Sequence, residues 1–156
     1  MSAMEIAQAT APSDLAQVRA LFEEYAAWVG VDLCFQGFPA ELKGLPGAYA
    51  PPRGRLFLAR AGSETAGCVG LRPIEENLCE MKRLYVRPAF RGRGLGRTLV
   101  EKVVWEARDL GYRALRLDTL PKMVSAAMLY RAMGFAPCPP YYDTPLEGTV
   151  FLELVL

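Results

Sequence analysis

One short segment, RGRGLGR at residues 91–97, limits the folds open to this chain more than any other part of its sequence. An apolar strand candidate at 79–86 precedes it, and an amphipathic helix candidate at 95–110 follows it. Glycines at alternate positions let the backbone turn tightly and bring several N–H groups to one concave surface. The helix adds its unsatisfied N–H groups and the positive end of its dipole. The segment therefore predicts a strand–turn–helix unit with a phosphate or pyrophosphate site at the turn.

Three phosphate-binding patterns can be compared with this turn. A P-loop requires a lysine followed by Ser or Thr after its last glycine, and no lysine stands there. The dinucleotide pattern GxGxxG is met at Gly92 and Gly94, but Arg97 takes the place of its third glycine, where close helix packing excludes a long side chain. The remaining pattern, Arg or Gln followed by xxGxG, is met by Arg91, Gly94 and Gly96. That pattern is typical of the turn that holds the pyrophosphate of acetyl-CoA, and the arginines of the segment add charge and paired donors.

The rest of the chain has the pattern of alternating helices and short strands. The expected elements are a helix at 13–28, a hairpin at 56–61 and 66–71, strands at 79–86 and 114–118, helices at 95–110 and 122–133, and final strands from 135 and at 150–156. Ser13 or Asp14 is expected to cap the first helix, and residues 30–54, rich in Gly and Pro, to form an ordered flap. A strand–helix–strand unit requires a parallel pair and a hairpin an antiparallel one, so we expect one mixed α/β sheet.

Composition excludes several classes of function. A length of 156 residues suggests a single domain, spanning 1–156. Eighteen Lys and Arg against 17 Asp and Glu leave a net charge of +1, so neither nucleic acid nor an anionic membrane is expected as a partner. The absence of histidine rules out His-based triads and HExxH zinc sites, and no metal is expected. Since no apolar run approaches the ~20 residues that span a bilayer and the cysteines form no CxxC pair, we expect a reduced, cytoplasmic protein.

Two longer motifs make the family resemblance plain. The stretch CEMKRLYVRPAFRGRGLGRTL at 79–99 resembles the cofactor motif of the GNAT superfamily of N-acetyltransferases, and LDTLPKMVSAAMLYRAMGF at 117–135 resembles its second motif, a helix that ends in LYxxxGF. Together they occur in the order and spacing of that superfamily. The resemblance implies a mixed, mostly antiparallel central sheet with a splayed parallel strand pair and helices on both faces. It also implies transfer of an acetyl group from acetyl-CoA to a primary amine.

The resemblance assigns roles to particular residues. The backbone groups of Leu84, Tyr85 and Val86 would pair with the pantetheine arm, an added strand made by a cofactor. The amides of the turn would hold the pyrophosphate, with the contributing residues Arg91, Gly92, Arg93, Gly94, Leu95, Gly96 and Arg97. Glu80 matches the position of the general base, although a surface glutamate paired with Lys82 or Arg83 is the alternative.

A second set of roles concerns the helix at 122–133. Tyr130 matches the tyrosine that protonates or orients the coenzyme sulfur in relatives, and a core aromatic at helical spacing is its alternative. Relatives often carry an asparagine where this chain has Met123; Ser125 is expected to take over that contact with the coenzyme arm. Asp118 and Thr119 end a strand beside the cleft, where capping of the next helix or contact with substrate is expected.

The acceptor amine is expected to meet an aromatic surface. Phe35, Tyr141 and Tyr142 are the preferred acceptor-facing residues, the tyrosines in a Pro-rich loop near the cleft. Other aromatic and acidic candidates are Trp28, Phe38, Tyr49, Glu23, Glu24 and Asp32. The sequence leaves open whether the acceptor is a polyamine, an amino acid, an antibiotic or a protein terminus.

Two other functions remain open from the sequence. The sequence RGRG at residues 91–94, within a basic stretch, is also compatible with a nucleic-acid-binding module. A protein of the GNAT fold could also bind acetyl-CoA as a sensor or scaffold without turnover. The resemblance to the GNAT superfamily also allows a homodimer that forms through the last strands.

Overall fold

A computed structural model of the chain describes residues 3–156, apart from the side chain of Phe35. It contains one seven-stranded sheet in the order β1-β2-β3-β4-β5-β7-β6. The strands are β1 (Met4–Gln8), β2 (Arg55–Ala61), β3 (Glu64–Glu75), β4 (Leu78–Val86), β5 (Ala114–Thr119), β6 (Ala136–Pro137) and β7 (Val150–Val155). The helices are α1 (Pro12–Val29), α2 (Phe38–Gly44), α3 (Leu95–Asp109) and α4 (Val124–Ala132).

The sheet is antiparallel except where β4 meets β5. These two strands are parallel and pair over Leu78–Glu80 and Ala114–Arg116 alone. Beyond Glu80 the strands separate, which leaves the later half of β4 unpaired on the side that faces β5. The expected mixed sheet with a splayed parallel pair is confirmed.

A bulge changes the register of β4 just after this point. Tyr85 pairs with Cys68, whereas Lys82 pairs with Gly70, so β4 carries one more residue than β3 between these pairs. Arg83 takes up the extra length with a φ of 60°, an unusual value for a residue with a side chain. After the bulge, Arg83 reaches Glu41 of α2 and Tyr85 packs with residues of α1.

Helices cover both faces of the sheet, as expected. One core cluster packs α3 against the sheet through Leu95, Leu99 and Val103, and it also includes residues of α4. The second cluster packs α1 against the opposite face through Val18 and Phe22. Burial of each such side chain stabilises the fold by about 1.5–3 kcal/mol, so helices pack firmly on both faces of the sheet.

Several local expectations were wrong. Strand β1 was not expected because its five residues alternate between exposed and half-buried positions and gain their structure from pairing with β2. The first helix begins after Ala11 and not at Ser13 or Asp14; Asp14 instead accepts hydrogen bonds from the N–H groups of Thr10 and Ala11 at 3.4 and 3.3 Å. The flap also contains a short helix, α2, where the sequence indicated no regular element.

Helix α4 begins after Met123, and no side chain caps it. The capping role expected for Asp118 and Thr119 is therefore wrong. Among residues 3–156, no helix is both long and apolar enough to cross a membrane.

Candidate active site

The turn between β4 and α3 has a backbone that favours glycine. Gly92 and Gly94 have φ values of 78° and 77°, in the left-handed region that side chains disfavour. A Cβ at either position would meet nothing within 4 Å, so the backbone angle and not crowding selects glycine. Gly94 is also the N-cap residue of α3, so the turn leads directly into the first helical residues.

The N–H groups of this turn face outward without partners. Across residues 3–156, none of the N–H groups from Gly92 to Arg97 donates a hydrogen bond to another protein group, whereas Thr98 N–H donates to Gly94 O at 3.1 Å. The first N–H groups of a helix have no intrahelical acceptor, and the helix dipole makes this end positive. The turn therefore carries the free donors that a diphosphate requires.

A cavity of about 440 Å³ lies beside the turn. It brings together most of the residues that the sequence indicated for acetyl-CoA, namely Leu84, Tyr85, Val86, Arg91, Gly92, Gly94, Leu95, Gly96 and Ser125. Its other lining residues are Trp28 of α1, Phe90, and Ala126 and Leu129 of α4. The glycine turn and the unpaired edge of β4 thus face one shared space, which we call the donor cavity.

The side chain of Arg91 lies across the edge of β4. Its Nε donates to the carbonyl oxygen of Val86 at 2.9 Å. Its guanidinium lies 5.3 Å from the ring centre of Trp28 and 5.8 Å from that of Tyr85. Arg91 therefore occupies a carbonyl group that the resemblance assigned to the pantetheine arm.

The other two arginines of the turn lie outside the walls of the donor cavity. Arg93 is 5.6 Å from the ring centre of Phe90. Arg97 forms an exposed ion pair with Glu101, 3.2 Å from Nε to Oε1, and such a pair contributes little to stability. Arg93 therefore packs near Phe90 and Arg97 is paired with Glu101, and neither side chain lines the donor cavity.

Tyr130 is buried where the two strands diverge. It lines a small cavity of about 70 Å³ together with Leu84, Lys82, Asp118 and Met123. Among the described residues, none forms a hydrogen bond that shifts the pKa of its hydroxyl. Burial, followed by nearby negative charge, raises the pKa of Tyr130, so the hydroxyl keeps its proton at neutral pH.

Glu80 is buried and is not the surface glutamate that the sequence allowed. Its Oε1 accepts a hydrogen bond from Arg72 Nε at 3.0 Å, and its Oε2 accepts one from the Tyr141 hydroxyl at 2.5 Å. Lys82 Nζ is 3.9 Å from Oε2. The carboxylate of Glu80 is therefore held chiefly by Arg72 and Tyr141, which belong to other parts of the fold, and less by Lys82.

Lys82 links the two diverging strands. Its ammonium is 3.2 Å from Asp118 Oδ1 on β5, and Asp118 also accepts a hydrogen bond from the Tyr142 hydroxyl. Burial alone would raise the pKa of Asp118, but Lys82 and the hydrogen bond from Tyr142 hold it below its usual value. Asp118 is consequently ionised at neutral pH and keeps Lys82 between the strands.

The two expected acceptor-facing tyrosines come together. Tyr141 and Tyr142 pack edge to face against each other and against Phe151, with ring centres 5.2–5.5 Å apart. Burial is the main cause that raises the pKa of both hydroxyls. The negative charge of the carboxylates to which they donate hydrogen bonds is the second cause. Each tyrosine thus remains a neutral donor to a carboxylate, Tyr141 to Glu80 and Tyr142 to Asp118.

These groups line a second cavity of about 480 Å³, which we call the acceptor cavity. Its lining residues are Gln36, Ala48, Arg72, Pro73, Ile74, Glu80, Lys82, Tyr141 and Tyr142. Arg72 and Gln36 were not expected from the sequence. The sequence contained one signal for Arg72: it and Glu80 stand on either side of the turn that joins β3 to β4, and the two strands pair them.

The flap is held over this cavity by buried ion pairs. Arg83, at the bulge of β4, donates to Glu41 of α2 through Nε and Nη2 at 3.0 and 3.1 Å. It also donates to Gln36 Oε1 through Nη1 at 2.8 Å. The side chain of Phe35, expected to face the acceptor, lies outside the described residues. Within residues 3–156, no group of three or more His, Cys, Asp or Glu side chains is arranged to bind a metal ion.

Comparisons with known proteins agree with this geometry. The family model described as the acetyltransferase (GNAT) family matches residues 17–135. An uncharacterised N-acetyltransferase of Schizosaccharomyces pombe is 39% identical, over 98% of this chain and 95% of its own length. An acetyltransferase structure from Streptococcus agalactiae has the same fold, with a TM-score of 0.81 and 22% identity over 98% of both chains.

A GNAT family acetyltransferase of Elizabethkingia anophelis, solved with acetyl-CoA bound, also shares the fold, with a TM-score of 0.62 and 21% identity over 98% of both chains. The match to the family model covers both motifs and the strands β2 to β5. The chain therefore belongs to the GNAT family of acetyltransferases, and it is an acyltransferase whose co-substrate is acetyl-CoA.

Proposed function

We propose that the protein transfers the acetyl group of acetyl-CoA directly to the primary amine of a small molecule or peptide. One observation carries this proposal: the unpartnered N–H groups of the glycine turn and the free edge of β4 face the same cavity. That cavity shares Leu84 with the small cavity at the strand junction, and the small cavity shares Lys82 with the acceptor cavity. The three cavities thus follow one another from the turn to Glu80, each sharing a wall residue with the next.

The donor cavity suits a CoA thioester. The N–H groups from Gly92 to Arg97 would hold the diphosphate, and the backbone of Leu84, Tyr85 and Val86 would pair with the amides of the pantetheine arm. Because Arg91 caps the Val86 carbonyl in this structure, its side chain must move before the arm can pair there. The diphosphate offers the guanidinium a stronger partner at the turn.

The acceptor must lose a proton before it reacts. An alkyl amine has a pKa near ~10, so it arrives largely as an ammonium ion at neutral pH. Glu80 is the carboxylate best located to take the proton, directly or through water, since it lines the acceptor cavity beside the strand junction. Arg72 and Tyr141 hold its two oxygens and keep the carboxylate oriented.

The transfer is a single displacement. The nitrogen lone pair forms a bond to the thioester carbon, the C–S bond breaks, and the sulfur leaves with the bonding electrons. Tyr130, protonated and lining the small cavity at the strand junction, can give the sulfur its proton. The ammonium ion loses one proton to Glu80 before the attack, and the proton that the nitrogen loses after the attack restores Tyr130, so CoA, the acetylated amine and one proton are the products.

Two measurements test this function. Calorimetry with CoA should give one site per chain, and mixing acetyl-CoA with a panel of small amines and peptides should release free thiol. Absence of CoA binding would remove the donor site itself. If CoA binds but no amine in the panel causes thiol release from acetyl-CoA, the protein would instead be a CoA-binding protein whose acceptor is not an amine.

A further inference from the structure

We propose that the acceptor is a free α-amino acid, whose carboxylate binds Arg72 and Gln36 in the acceptor cavity while its amine faces Glu80. This inference rests on the proposed function and adds the chemical class of the acceptor. It depends on hydrogen-bond donors in the acceptor cavity that the rest of the protein leaves unused, and on the balance of charge around them.

Arg72 presents an unused pair of donors. Its Nε donates to Glu80 at 3.0 Å, and its Nη1 is 3.7 Å from Glu41 Oε1, too far for a hydrogen bond. Among residues 3–156, no acceptor is bonded to its Nη1 or Nη2 groups, and the side chain is 26% exposed within the cavity wall. A planar guanidinium with free Nη groups matches the two oxygens of a carboxylate.

Gln36 adds a neutral donor from the flap. Its Oε1 accepts hydrogen bonds from Lys82 Nζ at 3.3 Å and Arg83 Nη1 at 2.8 Å. Both partners are cations that can donate but not accept, so the amide oxygen must face them and the Nε2 group must point elsewhere. Gln36 lines the acceptor cavity, and within the described chain its Nε2 has no acceptor. The amide is therefore fixed with its donor end available to a ligand.

The charges around the cavity are already balanced. Arg72 pairs with Glu80, Lys82 with Asp118, and Arg83 with Glu41. A ligand with an uncompensated positive charge would disturb this balance in a partly buried site, where charges interact strongly. An acceptor that carries its own carboxylate arrives with no net charge, and each of its charged groups finds a partner of opposite sign.

The spacing of the two recognition groups limits how far apart the carboxylate and the amine can be. Arg72 Nε and Glu80 Oε1 are 3.0 Å apart, so the site for a carboxylate and the expected base lie side by side. This favours an acceptor whose amine and carboxylate are attached to the same carbon. Ala48, Pro73 and Ile74 supply an apolar wall for the rest of the molecule, and the cavity volume of about 480 Å³ is that of a small-molecule site.

The test compares matched acceptors in the thiol-release assay. The proteinogenic L-amino acids are assayed beside their C-terminal amides and their decarboxylated amines. We expect at least one amino acid to exceed its amide and its decarboxylated amine by about tenfold or more in kcat/KM, the scale of one charge-assisted bidentate contact. Amides or decarboxylated amines that match or exceed every amino acid would overturn the inference.

Two variants assign the preference to the named residues. Arg72→Gln removes the guanidinium and Gln36→Glu places an anion beside the ligand carboxylate; each should abolish the preference for the acid over the amide, mainly by raising the KM of the acid. Arg108→Gln, at an exposed position of α3, is the control and should keep the preference. Thermal unfolding identifies a variant that fails to fold, and the Gln36→Glu side chain can still pair with Lys82 and Arg83.

The outcomes separate this inference from the proposed function. An unchanged acid-to-amide ratio in both folded variants would overturn the assignment to Arg72 and Gln36. If no amino acid is acetylated but other amines are, the acceptor class is wrong and the N-acetyltransferase remains. If calorimetry finds no binding of CoA, the proposed function fails before the acceptor is considered.

Discussion

The donor and acceptor cavities are of similar size but are built in different ways. Backbone groups dominate the donor cavity, namely the N–H groups of the glycine turn and the unpaired edge of β4. Side chains dominate the acceptor cavity, where Glu80, Lys82 and Arg72 are each held by a partner from another element. A backbone site can serve any member of a family that uses one coenzyme, whereas a site of side chains can be changed residue by residue to fit one acceptor.

This contrast makes separable predictions. Changes at the turn should affect the affinity for CoA and leave the acceptor kinetics intact, and changes in the acceptor cavity should do the reverse. Residues at the strand junction should affect the chemical step. A variant that alters both cavities equally would weaken the distinction.

The largest effect is expected from Glu80→Gln. Loss of a general base typically costs ~10²–10⁴-fold in rate, and we expect about 10²-fold or more in kcat/KM for the amine at pH 7. The defect should shrink as the pH rises toward the amine pKa of ~10, because the amine then loses its proton without help. Steady-state pH profiles measure this, and calorimetry should find CoA binding unchanged.

Glu106→Gln is the matched control for that variant. Glu106 is a half-buried carboxylate that, like the buried Glu80, is paired with an arginine, here Arg55, but it lies outside the walls of both cavities. Its replacement should leave the pH profile unchanged. A pH profile of Glu80→Gln that parallels the wild type would remove Glu80 from the mechanism.

The next effect is expected from Gly94→Val, which addresses the donor cavity. Gly94 has a φ of 77°, and a β-branched residue there costs about 1–3 kcal/mol of strain or moves the turn. We expect the Kd for CoA to rise about 30- to 100-fold, with little change in the KM of the amine. Gly111→Val, at a φ of 87° beyond the end of α3, imposes a comparable strain away from both cavities and should leave the Kd unchanged. Wild-type affinity in Gly94→Val would contradict a backbone-built donor site.

Tyr130→Phe tests the junction between the cavities. The change removes one oxygen and keeps the ring packed against Phe135, 5.7 Å between ring centres. If Tyr130 protonates the departing sulfur, kcat should fall by about tenfold while the Kd for CoA stays constant. Stopped-flow measurement of a single turnover isolates the chemical step. Turnover at the wild-type rate would exclude the acid role and leave Tyr130 as a core residue.

The smallest effect is expected in stability, from Asp118→Asn. The pKa of Asp118 is lowered in the folded protein, so its contribution is present above the unfolded-state pKa and is lost as the pH falls through the folded-state pKa. The single amide oxygen of asparagine can still accept the hydrogen bond from Lys82, and its N–H group can donate to the Tyr142 hydroxyl in the reverse direction, so the cost at pH 7 should be about 1 kcal/mol. Chemical denaturation should show that the difference in the free energy of unfolding between variant and wild type becomes smaller as the pH falls below ~4. A constant difference would mean that the charge of Asp118 does not hold Lys82.

The sequence predicted the lining of the donor cavity more completely than the lining of the acceptor cavity. The reason is that the structure of the glycine turn is determined by residues that are adjacent in the sequence. Residues 91–97 are contiguous, and the glycine pattern specifies the backbone angles without help from the rest of the chain. Tyr141 and Tyr142 could be expected because an aromatic pair in a Pro-rich loop stands out. Arg72 and Gln36 could not, because their roles depend on the β3–β4 register, the bulge at Arg83 and the position of the flap.

Two errors in the fold have the same origin. Strand β1 has a weak pattern of its own and forms because β2 offers it an edge. The N-cap of α1 was placed two to three residues late, at Ser13 or Asp14 and not at Ala11, because Asp14 stabilises the preceding turn from inside the helix and does not stand at its end. In both cases the deciding contact is made by a neighbour that the local sequence does not specify.

The hydrogen bond between Arg91 and the Val86 carbonyl has one more consequence. A strand with free N–H and C=O groups is a template for any extended peptide, and proteins usually protect such edges against aggregation. The open part of β4 lies inside the sheet and cannot be shielded by a neighbouring strand without losing the place where the coenzyme pairs. Arg91 covers one carbonyl group of this edge, that of Val86, and under the proposed function its guanidinium would leave that carbonyl for the phosphates of the coenzyme. Solutions depleted of CoA should therefore remain free of aggregates as long as this arginine is present.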